Sequence, residues 1–254
     1  MSYFRVIIPT YNSEKTLERA VDSIRRQTFC DYDLIIVDDC SKNQAYLDKY
    51  EKESDVIKLK EKRYNGGTRN EGMKYHKDSI YTLFLDSDDE FVNENYFQSL
   101  YEFIEKNKRP DLIRLSYIKH IDSTGEEIDF TCRTSIETDL DRLANSCRVA
   151  CWTKCIKTNL LVDFPENTLM EDVCQHLLQI EKIKTMKNFN IPAIRWHIRR
   201  SSTSHNMSEK WKSSAYRFVA DLMDLQLRKS YTIKRRNIKL KTALLNLSRG
   251  IYEQ

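Results

Sequence analysis

Three aspartates within four positions end an apolar segment of this 254-residue chain. Residues 82–90 read TLFLDSDDE, so Asp86, Asp88 and Asp89 follow a run that fits a buried strand. Carboxylates this close repel one another when ionised, and a hard divalent cation removes that conflict. Mg²⁺ in particular binds one or two protein carboxylates together with substrate phosphates. The alternative is an acidic turn that caps a helix predicted from Glu90 to Lys106, since aspartate is a preferred N-cap residue.

The amino-terminal segment RVIIPTYNSEKTLERAVDSI predicts a strand followed by a helix. Val6–Ile8 is the predicted strand, Pro9 its end, and Ser13 the predicted cap of the amphipathic helix. Residues 10–12 would then lie in a strand-to-helix loop, where open α/β sheets bind ligands.

Two further segments have similar features. DLIIVDDCS predicts an apolar strand that ends on Asp38 and Asp39, and YNGGTRNEG places Gly66 and Gly67 before a predicted helix that carries Arg69. Two glycines allow close backbone approach, and a helix start favours an anion. Taken singly, the glycine pair is typical of a turn and the acidic pair of a strand exit.

In order and spacing, the segments VIIPTYN, IIVDDCS, NGGTRN, FLDSDDE and MEDV resemble the family 2 glycosyltransferases of the GT-A fold. The resemblance covers roughly residues 4–205. It implies an α/β fold with a Rossmann-like, mostly parallel sheet flanked by helices. It also implies that a nucleotide sugar, most often a UDP-sugar, binds over the strand ends. The glycine pair departs from the family's usual Asn-x-Gly spacing, which leaves the roles of Gly66 and Gly67 open.

The resemblance assigns donor-binding roles residue by residue. Tyr11 would stack near the base, and Asp39 would accept from the uracil N–H. Arg69 would lie near base or phosphate, Asp86 near ribose or sugar hydroxyls, and Asp88 would bind Mn²⁺ or Mg²⁺. Three further residues would line the nucleoside pocket: Thr10, Asn12 and Glu14.

The segment NTLMEDVC places Glu171 and Asp172 at the start of an apolar helical stretch. Acids in a first turn complement the helix dipole, which explains most such pairs. The resemblance instead implies that Asp172 is the catalytic base, with Glu171 as the second candidate. One carboxylate that takes the acceptor proton while the hydroxyl attacks the anomeric carbon gives inversion. A metal would stabilise the charge on the departing diphosphate.

The segment AIRWHIRRSSTSH resembles the family's aromatic-x-x-Arg pattern before a serine-rich loop. His197 would complete the metal shell or contact the diphosphate, although a single histidine beside a strand is also typical of a structural role. Arg199 can offer forked donors to phosphate. Trp152 and Lys154 are candidates for the acceptor floor, with a core position as the alternative for the tryptophan.

Composition predicts a soluble cytoplasmic enzyme. Hydrophobic residues make up 40% of the chain, and no apolar run reaches the 18 residues that a membrane-spanning helix needs. The first strand begins at once, which leaves no room for a signal peptide. Seven cysteines predict reduced thiols. Cys147, Cys151 and Cys155 recur every four residues on a predicted helix, where they are expected to be buried rather than metal-bound.

Residues 206–254 differ from the rest of the chain in charge. They carry 11 Lys+Arg against 4 Asp+Glu, a balance of +7, and since the whole chain is +4, residues 1–205 carry −3. The sequence therefore predicts a catalytic domain over 1–205 and a basic helical appendage over 206–254. The appendage has a solvated face, or contacts the inner membrane surface peripherally, or contacts nucleic acid.

Several functions fit these patterns. The principal prediction is a metal-dependent, inverting glycosyltransferase with a glycan or lipid-linked saccharide as acceptor. A modified nucleic-acid base is an alternative acceptor. A sugar-phosphate nucleotidyltransferase would need a glycine-rich basic loop after the first strand, where PTYNSE is short and acidic. A non-enzymatic membrane or nucleic-acid binding module would leave Asp88 and Asp172 without a role.

Overall fold

The structure, a computed structural model, describes residues 1–132, 150–166, 170–179 and 182–199. Among these residues, nine strands form one sheet that is flanked by helices. The strands are β1 (Phe4–Thr10), β2 (Tyr32–Asp38), β3 (Asp55–Lys58), β4 (Tyr81–Phe84), β5 (Glu90–Phe91), β6 (Leu112–Ile121), β7 (Glu126–Phe130), β8 (Lys154–Lys157) and β9 (Met186–Ile198). The helices are α1 (Leu17–Arg25), α2 (Tyr64–Gly72), α3 (Tyr96–Lys106) and α4 (Glu171–Gln179).

The amino-terminal half of the sheet is parallel, in the order β3-β2-β1-β4. β1 and β4 are buried along their whole lengths. Continuous apolar strands of this kind are expected where a parallel sheet is covered on both faces. The carboxyl ends of β1, β2 and β4 therefore meet at one edge, where the sequence places its polar loops.

The second half of the sheet adds antiparallel pairs, so the sheet as a whole is mixed. β8 pairs antiparallel with both β4 and β6, and β5 pairs antiparallel with β9. β6 and β9 run parallel, and β7 forms a hairpin with β6. The expected mostly parallel arrangement holds for the first half.

The first strand and helix differ from the prediction at their ends. β1 continues through Pro9 to Thr10. The β4 partner has already ended, at the Ile7–Phe84 pair, so a proline without an N–H is tolerated there. Ser13 does not cap α1, which begins at Leu17; its hydroxyl instead contacts the Tyr11 carbonyl and the Ser87 hydroxyl.

The glycine pair lies inside α2 rather than before it. A Cβ at Gly66 would collide with the Pro165 carbonyl, and one at Gly67 would lie 2.6 Å from the Arg63 Cβ. Close backbone approach, rather than a turn, is therefore what these positions need.

The predicted cysteine helix is wrong where the structure tests it. Cys151 opens a 3₁₀ turn and Cys155 lies in β8, both buried, while Cys147 is outside the described residues. The six cysteines of the described ranges are free thiols. Within these ranges no helix has the length and apolar content needed to cross a bilayer. The predicted basic appendage, residues 206–254, also lies outside the described residues.

Candidate active site

The three aspartates of the LDSDD segment form a tight cluster at the end of β4. One carboxylate oxygen from each of Asp86, Asp88 and Asp89 lies within 4.8 Å of the others. The Asp89 N–H donates to the Asp86 carbonyl at 3.0 Å and closes the turn. The acids do not cap α3, which begins at Tyr96 with Asn95 before it. The helix-capping alternative is therefore wrong, and the cluster needs another explanation.

Burial and mutual repulsion raise two pKa values in this cluster. Asp89 is 1% exposed, and its pKa lies well above the usual range because of burial and then the charges of Asp88 and Asp86. Burial and Asp86 also raise the pKa of Asp88, against the opposing charge of Arg199. Oδ1 of Asp89 accepts from the His197 N–H at 2.9 Å, while the buried Oδ2 has no protein partner.

Several close carboxylates, one with an unpartnered oxygen, match the all-oxygen shell that Mg²⁺ or Mn²⁺ prefers. Asp86 and Asp88 both retain partial exposure, so they could share an ion with a bound substrate. The residues present thus fit the divalent cation predicted at Asp88.

Arginines neutralise part of the cluster. Arg199 forms an ion pair with Asp88, and Arg19 donates to the Asp88 carbonyl. Arg19 was not identified from the sequence, because its position on α1 is that of an ordinary surface cation. Together with Arg69, which pairs with Asp86, these arginines place three positive groups near the acids, where they would also attract an anionic substrate.

Arg69 joins the acidic cluster to the start of α4. Its guanidinium donates to Asp86 Oδ1 at 2.8 Å and to Glu171 Oε1 at 2.7 Å. Its side chain is only 4% exposed, so both bonds form in a site that excludes most water. The predicted base region and the predicted metal region are therefore adjacent, although 85 residues separate Asp86 from Glu171 in the sequence.

The pKa of Asp172, the predicted base, is raised towards neutral pH. Burial and the neighbouring Glu171 raise its pKa to about 6, against the opposing charges of Arg69 and Lys154. Lys154 is 2% exposed, and its burial lowers its own pKa to about 8. At neutral pH Asp172 is therefore mostly ionised yet basic enough to accept a proton.

The second aspartate loop lies at the end of β2. Asp39 accepts from the N–H groups of Arg63 and Tyr64 at 2.5 and 3.0 Å, and burial raises its pKa. Its own N–H donates to the Thr10 carbonyl at 2.8 Å, which joins the ends of β1 and β2.

Beside Asp39, the β1 loop presents an aromatic face. Tyr11 is 41% exposed, and the Lys62 ammonium lies 3.5 Å from its ring centre. Asn12 has a φ of 49°, a left-handed conformation that asparagine tolerates, and its N–H donates to Ser41 Oγ at 2.8 Å. Glu14 is exposed on the turn before α1. Lys62 was not identified from the sequence, since KEKRY reads as a solvated charge run.

His197 is buried, and its ring faces carboxylates other than the predicted partner. Nδ1 lies 2.7 Å from Asp122 Oδ1, and Nε2 lies 3.4 Å from Glu90 Oε1. A metal-ligand role beside Asp88 would require the ring to leave both contacts.

Trp152 packs edge-on against Tyr117 with ring centres 5.0 Å apart, while the neighbouring Lys154 lies near Asp172. The tryptophan is only 7% exposed. Of the two acceptor-floor candidates, the lysine interacts electrostatically with Asp172, the predicted base, and the tryptophan belongs to the hydrophobic core.

The amino-acid sequence of this chain matches that of a known protein family. The sequence model described as Glycosyl transferase family 2 matches residues 5–152, more than half of the chain. The matched range contains the loops of Tyr11, Asp39, Arg69 and the aspartate cluster, and it ends before Asp172.

The relatives that match this chain include bacterial glycosyltransferases. The poly(ribitol-phosphate) β-N-acetylglucosaminyltransferase TarP of Staphylococcus aureus is 37% identical over 120 residues, which cover 44% of this chain and 36% of TarP. The match to TarS of the same species covers 20% of that protein. The UDP-Glc:α-D-GlcNAc-diphosphoundecaprenol β-1,3-glucosyltransferase WfgD of Escherichia coli is 24% identical over 212 residues, 82% of this chain and 81% of WfgD.

Solved structures confirm the predicted fold. TarS residues 1–349 with UDP-GlcNAc superimpose with a TM-score of 0.74 at 23% identity, over 96% of this chain and 70% of that one. The mannosyltransferase PcManGT of Pyrobaculum calidifontis, with GDP-Man and Mn²⁺, gives a TM-score of 0.61 at 12% identity, over 98% and 74%. The chain has the GT-A fold.

Proposed function

Because this chain belongs to glycosyl transferase family 2, we propose that it transfers a sugar from a UDP-sugar to a hydroxyl of a saccharide acceptor, with inversion at the anomeric carbon. One observation carries the proposal. The buried Arg69 bridges Asp86, one of the clustered aspartates, and Glu171, which precedes a carboxylate with a pKa of about 6. Arg69 thereby fixes the position of the aspartates that could bind a diphosphate through a cation relative to Asp172, which could accept a proton.

The donor would lie across the ends of β1, β2 and β4. The exposed ring of Tyr11 and the carboxylate of Asp39 would bind the base, since a carboxylate retains lone pairs after two backbone bonds. Thr10, Asn12 and Glu14 complete the proposed nucleoside side. TarS binds UDP-GlcNAc and WfgD is described as using UDP-Glc, which supports a uridine nucleotide.

Asp86 and Asp88 would hold Mn²⁺ or Mg²⁺ through the donor diphosphate. When bound, the ion supplies positive charge where the departing diphosphate gathers negative charge. Arg199, already paired with Asp88, can turn one of its donors to a phosphate oxygen. His197, with both ring nitrogens on other acids, is not needed for this shell.

Asp172 would remove the proton from the acceptor hydroxyl as that oxygen attacks the anomeric carbon from the face opposite the diphosphate. Burial and Glu171, which Arg69 holds, raise the pKa of Asp172 to about 6. At neutral pH this carboxylate would therefore be ionised and still basic enough to accept the proton. Lys154, from the facing strand β8, favours the ionised form. A single general base is what direct displacement requires.

The acceptor would be a cell-envelope glycan or a lipid-linked saccharide. TarP and TarS are described as acting on poly(ribitol-phosphate), and WfgD on a diphosphoundecaprenol-linked sugar. The match to WfgD covers most of both chains, which favours a lipid-linked saccharide as the first acceptor to assay.

Substitution of Asp172 by Asn tests the proposal. The change removes the base and keeps its shape, so turnover should fall by about 10²–10⁴-fold while UDP-sugar binding persists. Parent turnover should rise with pH up to about 6, where Asp172 ionises, and then level off. Sugar transfer and thermal shift with a panel of nucleotide sugars and Mn²⁺ are the measurements.

Glu171→Gln is the matched control, since it removes the neighbouring carboxylate and leaves Asp172. It should lower the apparent pKa of the rate profile, because Glu171 raises that of Asp172. Unchanged turnover in Asp172→Asn would assign the base elsewhere. Failure of every nucleotide sugar to stabilise the parent would reject the donor assignment.

A further inference from the structure

A second cluster of possible metal ligands lies beside the donor site. Single ligand atoms of His120, Asp122 and His197 all lie within 4.8 Å of one another. His120 and His197 are register partners on the parallel strands β6 and β9, and their ring centres are 5.0 Å apart. Asp122 follows β6 directly, and its N–H donates to the Ile198 carbonyl at 3.2 Å. Two secondary-structure elements thus hold the three groups in place.

Each imidazole has an inner nitrogen, which faces Asp122, and both inner nitrogens face the same carboxylate oxygen. Nδ1 of His197 lies 2.7 Å and Nε2 of His120 lies 3.8 Å from Oδ1 of Asp122. An ion among these atoms would replace the weak long contact with bonds to both rings. Small shifts would suffice, because the three atoms already converge.

The outer nitrogens are also held by carboxylates. Nδ1 of His120 lies 3.2 Å from Glu127, and Nε2 of His197 lies 3.4 Å from Glu90. Arg195 fixes both of these acids, at 2.8 Å each. A carboxylate on the far nitrogen sets the tautomer and raises the basicity of a metal-binding histidine. These contacts of the outer nitrogens support a metal site independently of the distances within the inner cluster.

We propose that His120, Asp122 and His197 form a zinc site, distinct from the acids assigned to the donor cation. Two imidazoles and one carboxylate suit Zn²⁺, whereas Mg²⁺ and Mn²⁺ favour oxygen ligands. The His197 side chain is 7% exposed, but those of His120 and Asp122 are 24% and 32% exposed. The open side leaves room for a fourth ligand such as water.

The ion would fasten three parts of the chain at one point. It would join the end of β6, the turn into β7 and the end of β9. The His197 N–H holds Asp89, and Arg199, two residues on, holds Asp88. The zinc site would therefore fix the backbone on which the aspartate cluster rests.

Metal binding to the full chain in an Asp88→Ala background tests the site, because that change disables the proposed donor cation shell. After chelation and dialysis, we expect one Zn²⁺ per chain by equilibrium dialysis with elemental analysis. Co²⁺ should give visible bands of a nitrogen and oxygen site without a thiolate charge-transfer band. Adding His120→Ala should weaken zinc binding by more than about 100-fold, beyond the effect of losing an outer partner.

Two further variants keep the result decisive. Glu127→Gln alters only the outer shell at a half-exposed position and should weaken zinc binding by about 10–100-fold even if His120→Ala folds poorly. His76→Ala, which removes a histidine that lies between two other acids, should leave it unchanged. Absence of stoichiometric zinc, equal affinity in the Glu127 variant, or a thiolate band for Co²⁺ would overturn the proposal.

Discussion

Two aspartate loops of this protein look alike in sequence and differ in how their charges are satisfied. IIVDD and LFLDSDD both end an apolar parallel strand on adjacent acids. Asp38 is fully buried and accepts from the Ser41 N–H at 2.9 Å and the Gln44 amide at 2.7 Å. Asp39 accepts from two further N–H groups. Protein donors surround this first pair.

The second loop has fewer fixed donors and more charge. Asp86 and Asp88 each hold one arginine, and Asp89 has a buried oxygen without a protein partner. Burial and then the charges of neighbouring aspartates raise the pKa values of Asp88 and Asp89, so the acids oppose one another. The two loops therefore differ in how many protein donors satisfy their carboxylates rather than in the number of acids, and the less satisfied loop is the one where we propose that an ion binds.

The largest expected effect is at Asp88. Asp88→Ala should lower metal-dependent sugar transfer by about 10³-fold, since the ion supplies several kcal/mol of charge stabilisation. Its free energy of unfolding should not fall, because the change relieves repulsion within the cluster. Mn²⁺-dependent UDP binding and urea unfolding measure the two effects. Parent-like UDP binding with Mn²⁺ would remove Asp88 from the metal site.

Asp38→Ala should show the reverse pattern. Loss of charged hydrogen bonds in a buried site should cost about 3 kcal/mol of unfolding free energy. Asp48→Ala is the control: that exposed acid pairs with Lys58 at the surface and should cost less than about 1 kcal/mol. Equal losses in urea unfolding would show that the Asp38 bonds do not stabilise the loop.

The smallest loss of stability is expected at Asp89. Its folded-state pKa is raised, so the folded protein loses stability as pH rises above the unfolded pKa of the carboxyl. Asp89→Asn should make the stability profile flatter above about pH 4, and at neutral pH it should raise the unfolding free energy, by about 1.4 kcal/mol for each pH unit by which folding raises the Asp89 pKa. Urea unfolding over a pH series measures this. An unchanged slope would mean that Asp89 does not titrate abnormally.

The strand ends could be predicted from the sequence because buried parallel strands are continuous apolar runs. Three of the motifs, in VIIPTYN, IIVDDCS and FLDSDDE, follow such runs. Because the carboxyl ends of parallel strands meet at one edge of a sheet, these three motifs could be placed together. The predicted end of β1 at Pro9 is too early, since β1 pairs with β2 as far as Thr10. The proline is tolerated because β4 has already ended beside Ile7, which only the strand pairing shows. The role of Gly66 could not be predicted, because packing against Pro165 has no local signature in the sequence.

The site was less predictable where contacts are long-range. Arg69 was expected near base or phosphate, yet its protein contacts are Asp86 and Glu171. His197 was expected beside Asp88, and its partners come from the β6–β7 turn and from β5. Such pairings depend on which loops the sheet order brings together, and side-chain types do not encode that order directly.

The Arg69 bridge also has a consequence for how the protein is made. Its partner Glu171 lies 102 residues later in the chain. At about 5–20 residues per second, the ribosome adds that partner about 5–20 s after Arg69. Until then the guanidinium of Arg69 can pair with Asp86 but lacks Glu171, and β4 lacks its β8 neighbour. Because distant contacts close slowly, catalytic competence should be the last property that the nascent chain acquires.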